Sequence, residues 1–229
     1  MRRPNSGGAV SQGPAAVKPA SFDSLLTEAR SQLNAAVTDT VKTMERKLAS
    51  IKDSAKMADS YMDLSKVWQR AKQPAVAAWY TAKSAKLENS EKKLTFAGQF
   101  FLQLMENEQD PSKQAWEAGE AVSCLEQSLK INPDNEDTKL ALATGYIEGT
   151  GEPMKGVQIL LAVVSAKPDD IPANMLLGRM SVQSGQFDKA IGRLQTVLKF
   201  EPENKEALYF MAQAWEVKGD KQKAIAYLE

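Results

Sequence analysis

Histidine is absent from this chain of 229 residues, and with it go the commonest general base, proton shuttle and metal ligand. Catalytic triads that depend on histidine are excluded. One cysteine, Cys124, allows neither an internal disulfide nor a cysteine-cluster metal site. It lies in the amphipathic stretch Ala121-Val122-Ser123-Cys124-Leu125 and reads as a small buried thiol. Net charge is missing too: Lys+Arg and Asp+Glu both total 29, so no global field draws the chain to nucleic acid or to an anionic membrane. There is no apolar run of the roughly 18 residues that a membrane-spanning helix needs. Neither glycine nor proline occurs between Ser21 and Gln73, which leaves that whole span free to be helical.

Residues 1–20 have almost no large side chains and read as a disordered linker, because they cannot bury enough surface to offset the entropy of ordering. Arg2-Arg3 has no apolar core after it, so a twin-arginine export signal is not indicated. After the linker, Phe22, Leu25, Leu26, Ala29, Leu33 and Val37 form one stripe, which predicts a helix over 22–36. Val41, Met44, Leu48, Ile51, Ala55, Ala58, Met62 and Ser65 continue at alternating steps of three and four. The expectation is a long helix over 39–72, antiparallel to the first and N-capped by Asp39. This heptad spacing suits either a dimerising coiled coil or a cap on the end of a larger helical stack, and the cap is the reading carried forward.

The strongest pattern lies in residues 171–204. Asn174, Leu177, Gly178 and Ser181 mark one helix face, Ser184-Gly185-Gln186 a turn, and Phe187, Ala190, Leu194, Val197 and Leu198 a second face that ends at Pro202. Gly178 and Ala190 leave notches through which two antiparallel helices can approach. Leu208, Met211, Ala212, Trp215, Gly219, Ala224 and Leu228 repeat this order 34 residues on, and Leu142, Ala143, Tyr146, Gly156, Leu160, Val163 and Pro168 precede it in a unit one residue longer. A degenerate unit uses Tyr61, Leu64, Ser65 and Trp68, then Pro74, Ala77, Ala78, Tyr80, Ala85 and Leu87. Another opens at Leu94, Ala97, Gly98 and Phe101 and resumes late at Ala121, Leu125, Leu129 and Pro133. Gln109-Asp110-Pro111-Ser112 breaks the helix between, and we expect the surplus residues to lengthen both helices, with Phe100 and Trp116 packing on the extension.

These residues resemble the tetratricopeptide repeat family, most strongly from residue 136 onward. The resemblance implies an all-α, right-handed superhelix (α-solenoid) of stacked antiparallel helix pairs, here about five, behind an N-terminal helical cap. The units are expected at about 58–90, 91–135, 136–170, 171–204 and 205–229, the last incomplete, with the cap over 21–57. It also implies a concave groove lined by the first helix of each pair. The groove positions correspond to Leu140, Thr144, Ile147 and Glu148, then Met175, Arg179, Val182 and Gln183, then Tyr209, Gln213, Glu216 and Val217. The lysine and asparagine clamp by which related proteins hold chaperone C-termini is not matched at Met175, Arg179, Tyr209 and Gln213. The groove instead suits an apolar peptide or amphipathic helix. Asn174 and Ser181 stand where the family prefers large residues, so looser packing is expected there.

The expected function is that of a non-catalytic protein-interaction scaffold with a protein or peptide partner and no cofactor, metal, nucleic acid or small-molecule substrate. The alternative is a structural or oligomeric subunit, such as a homodimer joined through the terminal repeat or the N-terminal helices. Gly145, Gly149 and Gly151 form no phosphate loop, since no lysine with Ser/Thr follows the last glycine. Asp170 is expected to N-cap the helix at Ile171-Pro172, as Asn135 and Asn204 are placed to do after Pro133 and Pro202. Similar repeat proteins carry a membrane anchor ahead of such a linker, so a tether upstream of Met1 is a further expectation, and the compartment is not indicated.

Overall fold

The computed structural model describes residues 17–229; most of the linker expected at 1–20 lies outside them. Twelve helices follow one another among the described residues: α1 (Phe22–Ser31), α2 (Ala35–Ala49), α3 (Ser54–Arg70), α4 (Pro74–Glu88), α5 (Glu91–Asn107), α6 (Pro111–Ile131), α7 (Glu136–Glu148), α8 (Pro153–Ala166), α9 (Ile171–Gln183), α10 (Phe187–Phe200), α11 (Lys205–Val217) and α12 (Lys221–Ala226). From α3 onward they form five antiparallel pairs, and each pair stacks on the next in chain order as an α-solenoid.

Capping chemistry sets the helix starts. Asp53, Asn135, Asp170 and Asn204 each accept a hydrogen bond from the backbone N–H three residues on, and Asp110 accepts from Ser112 N at 2.8 Å. Each such cap contributes about 1 kcal/mol. Proline opens α4, α6 and α8, where a missing N–H breaks no intrahelical bond. The expected caps at Asp170, Asn135 and Asn204 are all present.

Close approach within pairs depends on glycine. A Cβ on Gly98 would sit 2.5 Å from Leu125 Cγ, and one on Gly178 would sit 2.9 Å from Leu194 Cδ2. Glycine at these points lets a leucine of the second helix lie directly on the backbone of the first. Leu125, Leu194, Leu160, Trp68 and Phe101 are among the largest fully buried side chains, each contributing roughly 1.5–3 kcal/mol by leaving water. Hydroxyls stitch neighbouring pairs together: Thr95 Oγ1 of α5 lies 2.8 Å from Ser128 Oγ of α6 and 2.9 Å from Thr138 Oγ1 of α7.

The long helix expected over 39–72 is two helices. The chain remains helical through Val37-Thr38-Asp39-Thr40 because Thr38 and Thr40 donate their hydroxyls back to the carbonyls of Asn34 and Ala36, and the N-cap is Asn34, not Asp39. The break falls at residues 50–53, where Ser50 folds its hydroxyl onto Lys47 O and Asp53 caps α3. The first helix packs on α4 instead of along a long partner: Phe22 stacks on Trp79 at 3.7 Å. Val41, Leu64, Trp68, Val76 and Tyr80 fill the space that α1 and α2 close over, so these two helices cap the stack. The surplus residues near 107–118 do lengthen α5 and α6; Trp116 lies edge-on to Phe101 at 5.5 Å, not against Phe100, which is half-buried against the same core cluster.

Candidate functional site

The first helices α7, α9 and α11 lie side by side, and the positions expected from sequence to line a groove fall on them. Arg179 of α9 is their electrostatic centre. Its guanidinium hydrogen-bonds Glu148 of α7 and lies 3.6 Å from Glu206 of α11. Arg179 and Glu148 are half-buried and Glu206 more open, so this ladder ties three successive repeats together across the face. Glu206 is not among the groove positions expected from sequence. Its signal is that neighbouring first helices run side by side, so an acid one or two turns from the equivalent position can reach the same arginine.

The other groove positions divide by burial. Tyr209, Glu216 and Val217 are exposed, Tyr209 at 57% and Val217 at 61%, with Gln213 half-buried between them. Gln183 is exposed at the end of α9, and Thr144 is half-buried with its hydroxyl donated to Leu140 O. Leu140 and Ile147 pack against the core formed by Ala143, Leu160, Val163 and Leu177. Met175 and Val182 differ from the expected placement. Both are buried in the core with Leu194, Ala207, Met211 and Ala214, because the stripe they occupy is the one α9 turns toward α10 and α11. They are core residues and not open anchors on the surface of these helices. The face is therefore more polar than expected: three carboxylates and two amides around Tyr209 and Val217.

Other candidate chemistry is structural. Cys124 is fully buried, and burial pushes its thiol up to about 11. Asp170 is 4% exposed, caps α9 and lies 3.4 Å from Lys167. Glu117 of α6 was not singled out by sequence; it is 3% exposed, its Oε2 has no hydrogen-bond partner among the described residues, and burial raises its carboxyl to about 7. No group of three or more His, Cys, Asp or Glu able to hold a metal occurs among the described residues. No described helix is long and apolar enough to cross a membrane.

Comparison with known proteins agrees with this architecture. The family model for the tetratricopeptide repeat matches residues 181–229. A probable UDP-N-acetylglucosamine–peptide N-acetylglucosaminyltransferase SEC of Arabidopsis thaliana is 30% identical over 105 residues, covering 46% of this chain and 11% of that protein. Anaphase-promoting complex subunit 3 of Dictyostelium discoideum is 29% identical over 85 residues, 37% of this chain and 9% of that protein. The chain thus spans about a tenth of the length of these relatives. Among solved structures, a MamA protein has a TM-score of 0.59 at 17% identity, covering 75% of this chain and 87% of that one. YrrB, titled a TPR protein with an unusual peptide-binding site, has a TM-score of 0.53 at 19% identity, covering 84% and 89%. These structures share the fold.

Proposed function

We propose, for a chain that is a tetratricopeptide-repeat protein, a non-catalytic role as a protein-interaction scaffold that holds a segment of a partner along the face shared by α7, α9 and α11. The supporting observation is the open strip on α11, Tyr209, Gln213, Glu216 and Val217, lying beside the Glu148–Arg179–Glu206 ladder. Tyr209 and Val217 provide apolar contact, each side chain being able to contribute roughly 1.5–3 kcal/mol when covered. Glu148, Glu206 and Glu216 favour a segment carrying lysine or arginine, and such charges set orientation and on-rate more than affinity. Glu148, Arg179 and Glu206 already pair with one another, so little ordering cost falls on these side chains.

The test is capture of partners from the native cell by the full chain and by Tyr209→Glu combined with Val217→Glu. Both side chains face water, so the variant keeps its fold, and the reading requires that it lose the captured proteins. Undiminished capture by the folded variant removes the groove from the account.

A second reading, a subunit that associates with copies of itself, draws on Phe200, Ile225 and Leu228, which are 48%, 55% and 66% exposed near the last pair. Light scattering across concentration separates the two: a stable dimer abolished by Tyr227→Glu with Leu228→Glu favours self-association.

A further inference from the structure

The repeats carry a second recurring device on the opposite side, between successive second helices. In α7, Tyr146 hydrogen-bonds Glu126 of α6, and Lys155 of α8 lies over its ring at 5.2 Å. In α11, Trp215 is covered in the same way by Lys223 of α12 at 4.0 Å. Each of these lysines is also held by an acid three residues earlier, Lys155 by Glu152 at 2.8 Å and Lys223 by Asp220 at 3.0 Å. The unit is thus an aromatic ring, a lysine over it and a carboxylate beside the lysine.

The middle repeat keeps only the lysine. Lys189 is equivalent to Lys155 and Lys223, 34 residues from each. Ser181 stands where the others have Tyr146 and Trp215, and Gln186 stands where they have Glu152 and Asp220. Ser181 turns its hydroxyl back onto Leu177 O at 2.7 Å, and Lys189 donates to the neutral Gln186 Oε1 at 2.7 Å. The missing ring leaves a recess of about 490 Å³ between α8, α9 and α10. Its walls include Met154, Val157, Leu161, Leu177 and Met180, and its cations are Lys189 and Arg193. Arg193 donates to the neutral Asn174 Oδ1 at 3.1 Å, and no carboxylate lines the recess among the described residues. Gly192 contributes no side chain, and a Cβ there would meet nothing within 4 Å.

We infer that this recess is a binding site for a peptide segment of another protein that carries an aromatic side chain next to an acidic one. The ring takes the place that Tyr146 and Trp215 fill in the neighbouring repeats, under the Lys189 ammonium. The carboxylate takes the place of Glu152 and Asp220, pairing with Lys189 and Arg193. The occupant supplies both groups the repeat lacks, and the recess is large enough for a small ligand or side-chain cluster. This site is separate from the strip on α11, so the two fail independently.

The experiment is fluorescence anisotropy with the full chain and a fluorescein-labelled hexapeptide of aspartates around one tryptophan, beside two control peptides. One control has alanine for the tryptophan and the other lysines for the aspartates. Saturable binding is expected for the first peptide, weakened about tenfold or more in each control and in Ser181→Tyr, which fills the recess from within. Gln186→Glu, a change at an exposed position, returns the missing acid to Lys189 and is expected to weaken binding as well; it decides the matter if Ser181→Tyr misfolds by circular dichroism. Tyr209→Glu is expected to leave binding unchanged. Absence of saturable binding overturns the assignment, as does equal binding by the native chain and both recess variants. Self-association abolished by Ser181→Tyr, without peptide binding, gives the recess to a second copy and overturns it too.

Discussion

Glu117 should make this protein less stable as pH rises through a range where most acids have finished titrating. Its carboxyl is buried in α6, Oε2 lacks a partner among the described residues, and desolvation, aided by Glu108 and opposed by Lys113, raises it from an ordinary value of 4.5 to about 7. The folded chain therefore keeps a proton that the unfolded chain has lost. Stability from this group is full below about pH 4.5, declines as pH climbs toward 7 and is level above that. At 1.36 kcal/mol per pK unit the burden at about pH 8 is roughly 3 kcal/mol, and at about pH 5 it is under about 1 kcal/mol. Glu117→Gln removes the charge and leaves a neutral group of nearly the same shape. Any cost of burying the amide is the same at both pH values, so the observable is the difference between them. Urea unfolding followed by circular dichroism, on both proteins at both pH values, should show the substitution gaining about 2–2.5 kcal/mol more at the higher pH. An effect of Glu117→Gln that does not depend on pH would refute the reasoning.

Other substitutions separate packing from propensity. Gly98→Ala drives a methyl to 2.5 Å from Leu125 Cγ and should destabilise by about 1–3 kcal/mol in thermal melts, whereas Gly192→Ala meets nothing and should stabilise by about 0.5–1 kcal/mol. Asp170→Ala loses the bond from Ala173 N and should cost about 1 kcal/mol, read by denaturant midpoint. Cys124, with its thiol pushed up to about 11, should resist a thiol reagent at about pH 8 in the folded chain and react at once in denaturant.

Much of the stack was legible because its signals are local. Gly178 opposite Leu194, the caps at Asn135, Asp170 and Asn204, and Pro74 at a helix start are each readable from spacing and residue type alone. The misplaced break in the N-terminal helices shows where propensity misleads. Val37-Thr38-Asp39-Thr40 looked like an end, yet its threonines satisfy themselves by bonding back along the same helix. Periodicity marks Met175 and Val182 as apolar positions on α9, but only the packed stack shows that α10 and α11 cover them. Ser181 was legible as an oddity. That its absent ring leaves a recess beside a lysine paired only with a neutral amide required the second helices of two repeats in place.

A scaffold role requires above all that the face shared by α7, α9 and α11 be occupied by another protein. Site-specific photo-crosslinking in the native cell, from a reactive residue at Gln213 and, as control, at the exposed Gln195 of α10, tests it directly. Discrete adducts with one or a few proteins from position 213 and none from 195 are predicted; an unreactive 213 beside adducts from Ile225 or Leu228 to a second copy of the chain would contradict it.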